Sequence, residues 1–95
     1  MTLSEFKKSV QHSDPPGNLS ILLQALWFDA KGNWDTAHQL AQEDETSEGS
    51  WIHAYLHRKE GDLGNAGYWY HRAGQPVCNK SLSEEWEEIA AVLLR

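Results

Sequence analysis

The sequence predicts an all-α protein built from stacked antiparallel helical hairpins, about six helices in total. Apolar residues recur at helical spacing almost throughout. Caps and helix breakers punctuate that pattern at short intervals. No alternating apolar and polar run is long enough to argue for a strand.

The elements follow in order. Thr2-x-x-Glu5 has the form of a capping box, in which a hydroxyl and a carboxylate satisfy each other's orphan amides, and it opens a short first helix. Ser13-Asp14-Pro15-Pro16-Gly17 breaks the chain, because proline lacks the amide donor and glycine frees the backbone. Asn18 is the cap candidate for a second helix carrying Ile21, Leu22, Ala25, Leu26 and Phe28, which stops near Gly32. Asn33 can cap a third helix with Trp34, Ala37, Leu40 and Ala41 on one face. The polar connection Glu45-Thr46-Ser47-Glu48-Gly49-Ser50 can hold the next cap. It leads to a fourth helix bearing Trp51, Ile52, Ala54, Tyr55 and Leu56, which ends at Gly61. Asp62 can cap a fifth helix bearing Leu63, Ala66, Trp69, Tyr70 and Ala73, closed by Gly74 and Pro76. Ser81-x-x-Glu84 repeats the capping-box form and opens a last helix with Trp86, Ile89, Ala90 and Leu93 along one face. Its carboxylates Glu84, Glu85, Glu87 and Glu88 read as a solvated face. The expected organisation is a single domain, 1–95. It comprises an N-terminal capping helix and break (1–18), hairpins at 19–44 and 47–74, and a C-terminal capping helix (81–95).

Composition narrows the function classes. Ninety-five residues suit one domain, and 40% hydrophobic with 23% charged residues suits a globule rather than a disordered chain. No apolar run approaches the roughly 20 residues that cross a bilayer. The opening Met1-Thr2-Leu3-Ser4-Glu5-Phe6-Lys7-Lys8 lacks the basic-then-apolar order of a secretion signal. A net charge of −6 repels phosphate backbones and acidic lipid, so neither nucleic acid nor membrane is an expected partner. The lone Cys78 has no internal disulfide partner, which points to a reducing, cytoplasmic setting.

Displacing the chain by 29 residues lays Gly32 on Gly61, Asn33 on Asp62, Trp34 on Leu63, Ala37 on Ala66, Leu40 on Trp69 and Ala25 on Ala54. The repeated unit is a small residue in a first helix, a Gly-Asn or Gly-Asp turn, and an alanine five residues after the glycine. Antiparallel helices joined by a tight turn approach closely only where side chains are small, and the glycine supplies a backbone conformation that other residues resist.

At these residues the chain resembles the tetratricopeptide-repeat superfamily. The stretch Gly61-Asp62-Leu63-Gly64-Asn65-Ala66-Gly67-Tyr68-Trp69-Tyr70-His71-Arg72-Ala73 is similar to the family's second helix. In the earlier unit Ala25, Phe28, Gly32 and Ala37 hold similar positions, whereas Ala41 and Asp44 replace the later aromatic and alanine. The 29-residue period departs from the family's, which is about 34. The resemblance covers residues 19–76 and implies a binding surface rather than an enzyme. Two hairpins alone leave apolar faces open. The flanking helices are therefore expected to cap the stack, and the alternative is a second copy of the chain that completes it as a homodimer.

Four groups of residues invite a chemical reading. Trp34, Trp51, Trp69 and Trp86 fall on apolar arcs and read as core, while Trp27 is ambiguous between core and interface. His53 and His57, four apart on the fourth helix with Glu60 three further on, share a stripe away from the apolar arc. That stripe reads as a polar face or packing seam. Its alternative is a grip on a divalent transition metal, which His38 and His71 could join from neighbouring helices. Gly64, Gly67 and His71 line one stripe of the fifth helix, which suggests close approach of another helix or a shallow groove. The aromatic-basic cluster around Tyr68, His71 and Arg72, with His53, His57 and Arg58 on the adjoining helix, is the expected binding surface for a protein partner. No nucleophile elbow, phosphate loop or zinc-protease motif occurs, so neither an enzyme nor an obligate cofactor is expected.

Overall fold

The computed structural model describes Met1–Arg95 as six α-helices without a strand: α1 (Leu3–Ser9), α2 (Ile21–Ala30), α3 (Trp34–Gln42), α4 (Ser47–Lys59), α5 (Leu63–Ala73) and α6 (Leu82–Leu93). The protein is all-α. Both capping boxes form, at Thr2/Glu5 and at Ser81/Glu84. Asn33 and Asp62 cap α3 and α5, and Thr46 within the polar connection caps α4. One expected cap moves. Ser20, not Asn18, caps α2, accepting from the Leu23 amide at 3.2 Å. A capping side chain reaches the amide three residues ahead only from the position directly before the first turn.

The two hairpins repeat in backbone detail. Gly32 and Gly61 take φ values of +85° and +88°. Behind them the Asn33 amide donates to the Phe28 carbonyl and the Asp62 amide to the His57 carbonyl, both at 2.9 Å. Ala25, Ala37, Ala54 and Ala66, the small residues matched in the repeat, are all buried where the helices meet. α2 packs on α3, α3 on α4, and α4 on α5.

The flanking helices do not extend that array. α6 turns back across α2 and α4, no Cα of it comes within 8 Å of α5, and α1 packs against α6. The closure has two anchors. Trp86 donates its indole N–H to the Leu26 carbonyl at 3.0 Å and stacks on Phe6 at 5.4 Å between centroids. Beside it Glu85, expected on a solvated face, is only 1% exposed. Its carboxylate accepts from Tyr70 Oη (2.6 and 2.9 Å), Trp51 Nε1 (3.2 Å) and Arg58 (2.9 Å). Burial of the carboxylate is tolerable because both oxygens have donors and one donor is a cation. The resulting radius of gyration, 12.2 Å, is close to the roughly 12 Å of a closed globule of this length.

Three further expectations change. Trp27 is wholly buried and donates to the Ser9 carbonyl at 3.2 Å, whereas Trp34 and Trp69 are only half-buried. No helix approaches Gly64 or Gly67, since a methyl group built on either would meet open space. Leu63, expected on the apolar face of α5, is 69% exposed. The open glycines and the exposed Leu63 follow from the course of α6, which leaves the outer side of α5 uncovered.

Candidate metal centre

The seam between α3 and α4 carries the chemistry. Ala37 and Ala41 let α3 lie close to α4, and the position next to Ala37 is His38. On α4, His53 and His57 stand one turn apart and face that seam. The imidazoles of His38, His53 and His57 meet there, and one nitrogen from each lies within 4.8 Å of the others. His53 and His57 are buried and His38 is half-buried.

The shared geometry is close. His38 Nε2 and His53 Nε2 are 2.8 Å apart, a hydrogen bond in which one ring carries the proton and the other accepts it. His57 Nδ1 pairs with Glu60 Oε1 at 2.8 Å, and its Nε2 meets the Asn65 side-chain amide at 3.4 Å. Aromatic walls hold the rings. Trp34 stacks on His38 at 4.8 Å between centroids, and its N–H is fixed on the Leu56 carbonyl at 2.9 Å. Trp69 stacks on His53 at 3.9 Å, and the Arg72 guanidinium lies over Trp69 at 5.1 Å.

Burial, with the neighbouring His38 and His57 rings and the Arg72 guanidinium around it, pushes the His53 imidazole down to about 4. His38 is also lowered, by burial and then by His57, against the opposing pull of Glu60 and Asp35. Both rings therefore stay neutral at physiological pH, the state in which an imidazole nitrogen can bind a metal. A tetrahedral ion holds its ligand nitrogens about 3.3 Å apart, given metal–nitrogen bonds of about 2.0–2.1 Å. The His38–His53 separation needs roughly half an ångström of opening to accept one. The carboxylate on His57 Nδ1 is the partner that orients metal-bound histidines and raises their basicity.

The residues expected to matter divide into three groups. His53, His57 and His38 converge, while Glu60 buttresses His57 and His71 stands exposed outside the cluster. Tyr68 and Arg72 join one surface, with Arg72 donating to the tyrosine oxygen at 3.3 Å, and connect to the cluster through Trp69. Arg58 departs to the other side of α4, where it pairs with Glu85 and donates to the Lys80 carbonyl. Trp34 and Asn65 were not singled out for the site. Trp34 read as core from its arc, and Asn65 owes its place to the α4–α5 turn.

A second polar group lies across α4 from the histidines. Asp29, 2% exposed, accepts from Tyr55 Oη at 2.7 Å and from Lys59 at 2.8 Å, and it lines a cleft of about 540 Å³ between α1, α2, α4 and α6. Every buried polar side-chain atom has a hydrogen-bond partner, so this network reads as structural. Comparison with protein-family models, with curated proteins and with solved structures gives no match. No helix is long and apolar enough to cross a membrane.

Proposed function

We propose that this protein is a helical-hairpin module that binds a divalent transition-metal ion through His38, His53 and His57. The observation that carries the reading is the convergence of three imidazole nitrogens from two helices, with Glu60 on the outer nitrogen of one. All-imidazole donors suit zinc, copper(II) and nickel, whereas calcium and magnesium prefer oxygen. The function is binding rather than catalysis, in the cytoplasmic setting that the single cysteine supports. Elemental analysis and zinc titration of the untagged protein test it. One ion per chain is expected, lost in His38→Ala while helicity persists. A native protein that takes up no zinc, nickel or copper overturns it.

A second reading rests on the uncovered side of α5. In the repeat, Leu63 and Gly67 occupy the positions of Trp34 and His38, which on α3 face α4. On α5 those positions face solvent beside the exposed Tyr68 and Arg72. The resemblance to tetratricopeptide repeats supports a helix docking there, from another protein or from a second copy of the chain. Tyr68→Ala with Arg72→Ala should weaken that association and leave zinc uptake unchanged. Association that survives both changes places the partner elsewhere.

A further inference from the structure

We infer that the cleft of about 540 Å³ between α1, α2, α4 and α6 binds a small zwitterion, an α-amino acid with an apolar side chain. The cleft lies across α4 from the histidines and is independent of the metal-binding reading. Its size is the first support. Small-molecule sites are clefts of about 300–1,000 Å³ with apolar walls and a few placed polar groups. Here Val10 at the end of α1, with Leu82 and Trp86 on α6, supplies the apolar wall.

Charge is the second support. The charged lining residues are two cations, Lys7 and Lys59, and two anions, Asp29 and Glu87. They form two ion pairs, Lys59 with Asp29 at 2.8 Å and Lys7 with Glu87 at 3.2 Å. Lys31, beside the cleft residue Ala30, is committed to the Val10 and His12 carbonyls. A balanced lining favours neither a simple anion nor a simple cation, whereas a molecule bearing both charges meets both signs. Spare hydrogen-bonding capacity is the third support. The buried Asp29 spends its oxygens on Tyr55 and Lys59, a satisfied floor that fixes the Lys59 ammonium. That ammonium, only partly covered, keeps two further N–H donors. Glu87 meets Lys7 through Oε2, which leaves Oε1 to accept. Lys59 thus takes the ligand's carboxylate and Glu87 its ammonium, with the apolar side chain against Leu82 and Trp86. Both ion pairs persist, and the ligand displaces only water.

An NMR titration of the isotopically labelled full chain tests this. The probes are leucine and phenylalanine, then isocaproate, which is leucine without its ammonium, and isoamylamine, which is leucine without its carboxylate. The expected result is a saturable shift of the Trp86 indole N–H and the Ser83 amide with one of the two amino acids. If leucine is that ligand, each of its analogues should bind about tenfold more weakly, the loss of one charge-assisted contact. Glu87→Gln should bring leucine down to the level of isocaproate. Ser83→Trp, which fills the mouth from an exposed position, should abolish the shifts. No saturable shift with either amino acid overturns the site. Equal binding of leucine and either analogue overturns the zwitterion as its ligand, and shifts that survive Ser83→Trp overturn the cleft as its place. Circular dichroism of both variants checks that lost shifts do not reflect lost folding.

Discussion

Single side chains carry contrasting burdens in this fold. His53 is a basic group held neutral by burial, and its folded value of about 4 lies below the ordinary 6.5. The unfolded chain therefore binds the proton first as pH falls. Stability from this group is complete above about 6.5 and declines as pH drops toward 4, by on the order of 3 kcal/mol across the window. Urea midpoints of the metal-free protein should fall between about pH 7 and pH 5, and His53→Gln should flatten that decline. A native profile level over this range would refute the assignment. Glu85 is the opposite case, an acid buried among donors from two helices, Trp51 and Arg58 on α4 and Tyr70 on α5. Tyr70, raised by burial and by Glu85, stays protonated and keeps donating. Neither fate is visible in the residues around them. Glu85 sits among four glutamates with the same local signature, and only its position beside Trp86 turns it inward.

At the scale of elements, caps and turns obey short-range rules, which is why they were legible. Both capping boxes and the caps Asn33 and Asp62 stand where sequence places them, because their partners lie within three residues. Of the two readings of the interior glycines of α5, the close approach of another helix fails, since what surrounds a helix is a long-range fact. With open space at both positions and no positive φ, Gly64→Ala and Gly67→Ala should each stabilise the protein by about 0.8–1 kcal/mol, the helix-propensity difference. Gly49→Ala should do the reverse, because its methyl group would collide with the Asp44 carbonyl. Thermal melts of the three variants check the signs, and a destabilised Gly67→Ala would mean that α5 is covered after all.

The whole molecule is governed by the return of α6 across α2 and α4. Trp86 bridges Leu26 and Phe6, and Lys7 pairs with Glu87 at 3.2 Å, so the two chain ends are fastened to one another with this ring at the centre. Trp86→Ala should cost about 3–5 kcal/mol and loosen α1 together with α6. Amide exchange would then quicken at both ends, and quickening confined to α6 would show that α1 is held some other way. The same return closes one side of the hairpin stack and leaves the other side of α5 bare. The histidine cluster lies between these regions, on the α3–α4 seam.

The sequence by itself determined the helical class, the two repeated hairpins, their glycine turns and nearly every cap. These depend on periodicity and on contacts a few residues long, which the order of residues states directly. It also placed His53 and His57 on one stripe, since helical spacing alone requires that. Tertiary structure alone decided that His38 completes the cluster, that Arg58 leaves it for Glu85, and that Leu63 stands in solvent. Those outcomes depend on where α6 packs and on how α3 meets α4. Such crossings are set by the burial of many side chains at once, and no local pattern records them.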